Sequence, residues 1–129
     1  MHNNHFKLVI TGFLLVMSLA ATGANARSVF DSSEVGSIAL SALPQQGQDT
    51  QRLIRQGGPF PFDKDGVVFG NRERFLPMQK RGYYREYTVR TPGSRGRGAR
   101  RIVCGGPATT PDACFYSADH YASFRQIVP

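Results

Sequence analysis

The chain has 129 residues, with 16 Lys and Arg against 9 Asp and Glu, a formal net charge of +7. That length supports one domain with a small core and excludes several. The basic surplus is nearly all arginine, which favours phosphate or carboxylate partners over a merely solubilising role.

In chain order, Lys7 with His2 and His5 makes a weakly positive start, and Leu8 to Ala21 is almost continuously apolar. Ala24-Asn25-Ala26 then supplies the small-x-small pattern of a signal-peptidase site. The apolar run is short and interrupted for a membrane span, so residues 1–26 are expected to be a signal peptide, with a retained anchor as the alternative. The mature protein is expected to be secreted, to the periplasm or the medium, with no stable membrane association. Loss of Lys7 from the 16 basic residues leaves 15 against 9 acidic ones, a net +6, and His120 becomes the only histidine.

Residues 27–36 are polar and without period, a flexible mature N-terminus, and the domain proper is expected over 37–129. Ser37 to Leu43 reads as a short strand or the lead-in to a helix. Pro44 suits a helix start and Gly57-Gly58 a stop. Between them Thr50, Leu53 and Ile54 share one side of about three helical turns, with Gly47 a weak point that must be offset by packing. GGPFPFDKDG is irregular, and Phe60 and Phe62 are expected to plug the gap between helix and sheet. Asp63-Lys64-Asp65-Gly66 hints at a calcium loop, but the later ligand positions do not follow, and it reads as a turn. Val67 to Phe69 is expected to be a short strand, followed by the polar loop GNRERFLP.

Strands are predicted near 84–90 and 99–104, split by the turn TPGSRGRG, and near 113–117 and 122–127, with His120 in the loop between the last two. Cys104 and Cys114 would close a short disulfide loop worth ~2–3 kcal/mol. A metal site is the weaker reading, because two cysteines and a distant histidine lack a usual zinc spacing. A helix followed by antiparallel strands reads as α+β, the helix on one face of the sheet and the other face open for a ligand.

Chemistry concentrates in Tyr83 to Cys104, YYREYTVRTPGSRGRGARRIVC. Side chains alternate along a strand, so Tyr84, Glu86, Thr88 and Arg90 share one face while Arg85, Tyr87 and Val89 share the other. Arg100 and Arg101 likewise oppose each other. Glu86 is the single acid of this hairpin, and a carboxylate among guanidinium groups suits binding a phosphate and moving a proton beside it. A solvated basic hairpin with incidental ion pairs is the plainer alternative.

Three blocks in order, GPFPFDKDGVVFGNRE, GYYREYTVRTPGSRGRGARRIVCG and DHYASF, resemble the bacterial guanyl-preferring extracellular ribonucleases, the barnase-like family. The similarity covers nearly all of residues 38–127. It implies a microbial ribonuclease fold, with an N-terminal helix on a twisted antiparallel sheet, and a metal-free, cofactor-free endoribonuclease cutting single-stranded RNA after guanosine. Matched residue by residue, it puts the general base at Glu86, the general acid at His120 and the phosphate-binding arginines at Arg97 and Arg101. It puts the guanine loop at Phe69, Gly70, Asn71, Arg72 and Glu73, and a base-stacking tyrosine at Tyr121, which with Phe69 would sandwich an unstacked base. It also implies a monomer and, as a further partner, a small acidic, barstar-like inhibitor protein over the basic cleft. The chemistry is self-consistent. RNA carries its own nucleophile, the 2′-hydroxyl, and needs a base to deprotonate it and an acid for the departing 5′-oxygen. The competing reading is a non-catalytic, exported RNA- or polyanion-binding protein on the same fold.

Overall fold

The structure, a computed structural model, describes residues 35–129. The predicted signal peptide and all but the last two residues of the predicted flexible N-terminus lie outside the described residues. The elements are β1 (Gly36–Ala39), a 3₁₀ turn (Leu40–Ala42), α1 (Gln45–Gln56), β2 (Tyr84–Thr88), β3 (Arg101–Gly105), β4 (Ala113–Ser117) and β5 (Arg125–Val128). The fold is α+β: one helix on a five-stranded sheet of order β1-β5-β4-β3-β2.

The sheet corrects the antiparallel expectation at one edge, where β1 pairs with β5 in parallel register, Ile38 opposite Ile127. The other pairings are antiparallel. The segment SIALSAL serves both of its predicted uses, a strand as far as Ala39 and then a tight turn into the helix. Nothing in so short an apolar run specifies which strand it joins or in which direction.

Helix α1 begins after Pro44, which presets its own φ near the helical value. It ends at Gly57, in the left-handed region at φ 80°, where the amides of Gly57 and Gly58 cap the carbonyls of Ile54 and Leu53. Gly47 is buried, and a Cβ there would stand 3.4 Å from that of Leu43, so the helix's weak point is also its close contact with the preceding turn. The Thr50 hydroxyl donates to the Thr88 carbonyl at 3.1 Å, tying α1 to the end of β2.

The helix-side core contains Ile38, Leu43, Ile54, Tyr87, Val89, Ile102, Cys104, Cys114 and Tyr116. Phe60 fills its edge against Tyr87, ring centroids 5.1 Å apart. Phe62 does not: its ring lies outside this cluster and carries the Arg90 guanidinium at 5.9 Å. Cys104 and Cys114 face each other directly across β3 and β4 and form the expected disulfide.

The opposite face is less open than expected. Leu76, Tyr84, Val103, Phe115 and Phe124 form a second buried cluster there, beneath the connections that precede β2 and β5. Segment Val67–Phe69 is reduced from a strand to a single bridge, Val68 to Arg85, with amide bonds from Glu86 to Val67 and from Phe69 to Tyr84. Asp65, within the DKDG turn, accepts the Thr88 amide at 2.7 Å, so this turn pins the outer edge of β2. Polar side chains gather at the end of this face around Glu86, Thr88 and Arg101, where Glu86 is half-buried and Arg101 fully buried.

Candidate active site

Strand register places the polar centre. Thr88, Arg101 and Ser117 lie in one cross-strand row, and Glu86 occupies the row of Val103 and Phe115 on the same face. The Arg97 guanidinium reaches back from the glycine-rich turn, donating from Nη2 to Glu86 Oε1 at 3.1 Å and from Nε to Thr88 Oγ1 at 3.0 Å. The other Glu86 oxygen accepts a short hydrogen bond from the Tyr121 hydroxyl. Arg101, 2% exposed, donates to the Tyr121 oxygen at 3.2 Å and to the Arg100 carbonyl at 2.8 Å. The result is a continuous line, Arg101–Tyr121–Glu86–Arg97, in which every charge has a partner, as half-buried charge requires. Arg85 takes no part, donating instead to the Gly66 carbonyl.

The second half of the site is the turn between β4 and β5. His120 and Tyr121 both sit in the left-handed region, at φ 54° and 71°, a conformation that needs support from its surroundings. Support comes from Asp119, whose carboxylate accepts from the Ser117 hydroxyl, the Ser123 hydroxyl and the Ser123 amide. Those hydrogen bonds, led by that of the Ser123 hydroxyl, hold the Asp119 carboxyl below its ordinary pKa. The Ser117 oxygen accepts the Tyr121 amide, and the His120 amide donates to the Ala99 carbonyl at 3.0 Å, locking this turn to the arginine ribbon. The imidazole is thereby left exposed at the rim, edge-on to Tyr121.

A cleft of about 540 Å³ joins the two halves to the loop before β2, with Glu86, His120 and Tyr121 on one side and residues 69–73 on the other. Within that loop Asn71, at φ 50°, clips both the amide and the carbonyl of Leu76 with its carboxamide. Its side chain is spent on loop shape, while the Glu73 carboxylate stays exposed on the cleft wall. Gly70 needs no special backbone conformation, and a Cβ there would meet only Arg72 at ordinary distance.

The expected sandwich of a base between Tyr121 and Phe69 meets an obstacle, because the two rings already touch, centroids 5.1 Å apart and 31° between planes. No ring-thick gap lies between them. The Tyr121 phenol belongs to the Glu86–Arg101 cluster, its pKa raised by burial first and then by the Glu86 acceptor. Sequence reasoning missed this role, together with Thr88, Ser117, Asp119 and Ser123. The S-x-D-x-x-x-S spacing around His120 was the available signal. Among the described residues, no three His, Cys, Asp or Glu side chains gather as metal ligands.

A family model described as ribonuclease matches residues 26–128. This chain belongs to the ribonuclease family. It is 57% identical over 93 residues to the guanyl-specific ribonuclease Sa3 of Kitasatospora aureofaciens, covering 72% of this chain and 64% of that one. It is 56% identical over 92 residues to guanyl-specific ribonuclease Sa of the same organism, covering 71% and 93% respectively. A solved structure of ribonuclease Sa2 in complex with mononucleotides superposes with a TM-score of 0.69 at 48% identity, covering 74% of this chain and 95% of the other. A crystal structure of ribonuclease Sa2 with guanosine-2′-cyclophosphate gives 0.67 at the same identity, over 74% and 98%.

Proposed function

We propose that this ribonuclease-family protein is a secreted endoribonuclease that cuts single-stranded RNA after guanosine, through a 2′,3′-cyclic phosphate that is then hydrolysed to a 3′-phosphate. One observation carries the reading: Glu86, His120 and the loop Phe69–Glu73 line a single cleft. Glu86 takes the 2′-hydroxyl proton as that oxygen attacks phosphorus. His120, in its protonated form, donates to the departing 5′-oxygen. Arg97 and Arg101 hold the phosphate, and their charge stabilises its oxygens as phosphorus becomes five-coordinate. Arg97 bonds Glu86 through one terminal nitrogen and Thr88 through Nε, so further N–H groups of its fork remain for a phosphate oxygen. Hydrolysis of the cyclic ester reverses the roles, His120 activating water and Glu86 returning the proton. The Tyr121 phenol spends its one donor on Glu86 and accepts from Arg101, so it orients both groups beside the phosphate.

Guanine presents two adjacent donors, N1–H and N2–H, beside the O6 acceptor. The Glu73 carboxylate can accept from both donors, and backbone amides of residues 70–73 can answer O6. The base then lies alongside the touching Phe69 and Tyr121 rings rather than between them. Residues 1–26 act in this reading as the signal peptide, the mature domain works as a monomer, and a small acidic inhibitor protein is the partner that matches its net positive charge.

Digestion of an oligonucleotide with a single internal guanosine, in EDTA, tests the proposal. One cut is expected, 3′ to the guanosine, with a cyclic phosphate end that later becomes a 3′-phosphate. Binding without cleavage, or equal cutting after all four bases, would contradict it.

A further inference from the structure

The guanine loop has two sides. Its inner side walls the active cleft, and its outer side walls a second cleft of about 540 Å³, bounded by residues 68–72 and 79–82 with Tyr84 at its base. Arg72, Lys80 and Arg81 line this second cleft, and its lining contains no carboxylate. Lys80 and Arg81 are exposed, and among the described residues neither forms an ion pair. Their positions are set by a turn in which the Tyr83 amide bonds the Lys80 carbonyl, with Gly82 at φ 85°. Half-exposed Val68 adds an apolar surface at the shared wall.

We propose that this outer cleft binds the nucleotide that precedes the guanosine, with Lys80 and Arg81 holding the phosphodiester on the guanosine's 5′ side. The inference rests on the functional reading above. There the scissile phosphate, on the 3′ side of the guanosine, lies at Glu86 and His120 with the leaving nucleotide beyond it. The chain on the 5′ side leaves the same ribose from its other end, away from those groups. With the base held by residues 70–73, the adjoining concave surface on that side is the outer cleft. A cleft with three cations and no acid suits a phosphodiester, and contacts of this kind act through charge rather than base identity.

The test compares kcat/KM for GpU, UpGpU and GpUpU in wild type and in the double variant Lys80→Ser/Arg81→Ser. Wild type should cut UpGpU roughly tenfold better than GpU, the gain of one good charged contact. The double variant should lose most of that gain, leave GpU and GpUpU within about twofold of wild type, and show a shallower salt dependence for UpGpU only. Lys80→Arg should keep the gain. A wild type indifferent to the upstream nucleotide, an undiminished gain in the double variant, or a loss falling on GpUpU instead would overturn the inference. Failure to cut GpU at all would count against the ribonuclease reading itself.

Discussion

Gly98 controls where Arg97 points. It sits at φ 63°, and a Cβ on it would come within 2.6 Å of Thr91 Oγ1 and 3.1 Å of Thr91 Cβ. Any larger residue must therefore move the turn that delivers Arg97 to Glu86 and Thr88. Gly98→Ala is expected to lower kcat/KM on a guanosine dinucleotide by roughly 10- to 100-fold, the usual result of displacing a positioning group by about 1 Å. Cleavage kinetics check it, and an unaltered rate would mean that the turn tolerates the shift. At this scale the sequence announced residue types better than residue partners. A lone hairpin acid, a lone histidine and an arginine cluster were legible as residue types, and the fold brings Glu86 and His120 to one cleft with Arg97 bonded to Glu86. Tyr121 was read as a stacking ring because its bond to Glu86 spans 35 residues, and no local pattern encodes such a distance. The clip of the Asn71 side chain on Leu76 was not legible, because it depends on a left-handed backbone that only the folded loop reveals.

Among the elements, β3 and β4 carry the site's rigidity. Cys104 and Cys114 join them on the helix side, while Arg101 and Ser117 project from the other face of the same strands. The disulfide closes a loop ten residues in sequence separation, which corresponds to ~2–3 kcal/mol in the loop-closure account. Replacing both cysteines by alanine should lower the urea midpoint by at least that equivalent, since both sites are buried, yet leave kcat/KM at low temperature within about twofold, because neither sulfur touches the cleft. Loss of activity without loss of stability would show that the bridge sets the position of Arg101. The helix and strands β2 to β5 were legible from period, proline and glycine. The parallel β1–β5 edge was not, because register between chain ends is decided by packing of Ile38 and Ile127 and leaves no mark in a four-residue strand. The second core under Leu76 and Phe124 was hidden for a similar reason: its residues come from segments with no repeating pattern.

For the molecule as a whole, tyrosine burial sets an alkaline limit. Burial raises the Tyr84 phenol to about 12, with Tyr83, Tyr87 and Tyr121 also raised above 10. A phenol whose pKa is higher folded than unfolded favours the folded state fully below pH 10. That contribution is lost as pH climbs from 10 through about 12, because the unfolded chain ionises first. Thermal midpoints should therefore decline across that interval, and Tyr84→Phe should decline less steeply. A flat profile, or a Tyr84 phenol that titrates near 10, would contradict the burial described. The same charge balance that makes the chain basic, +7 over its full length, should make its association with RNA weaken as salt is raised.

In the proposed reaction Glu86 and His120 act on one phosphorus atom, one removing a proton and the other supplying it. The most direct measurement compares two substrates, GpU and the p-nitrophenyl ester of guanosine 3′-phosphate, whose leaving group needs no proton. His120→Ala should lose roughly 10²- to 10⁴-fold on GpU and far less on the ester, whereas Glu86→Ala should lose about as much on both. Equal losses for His120→Ala on the two substrates would contradict its assignment as the acid.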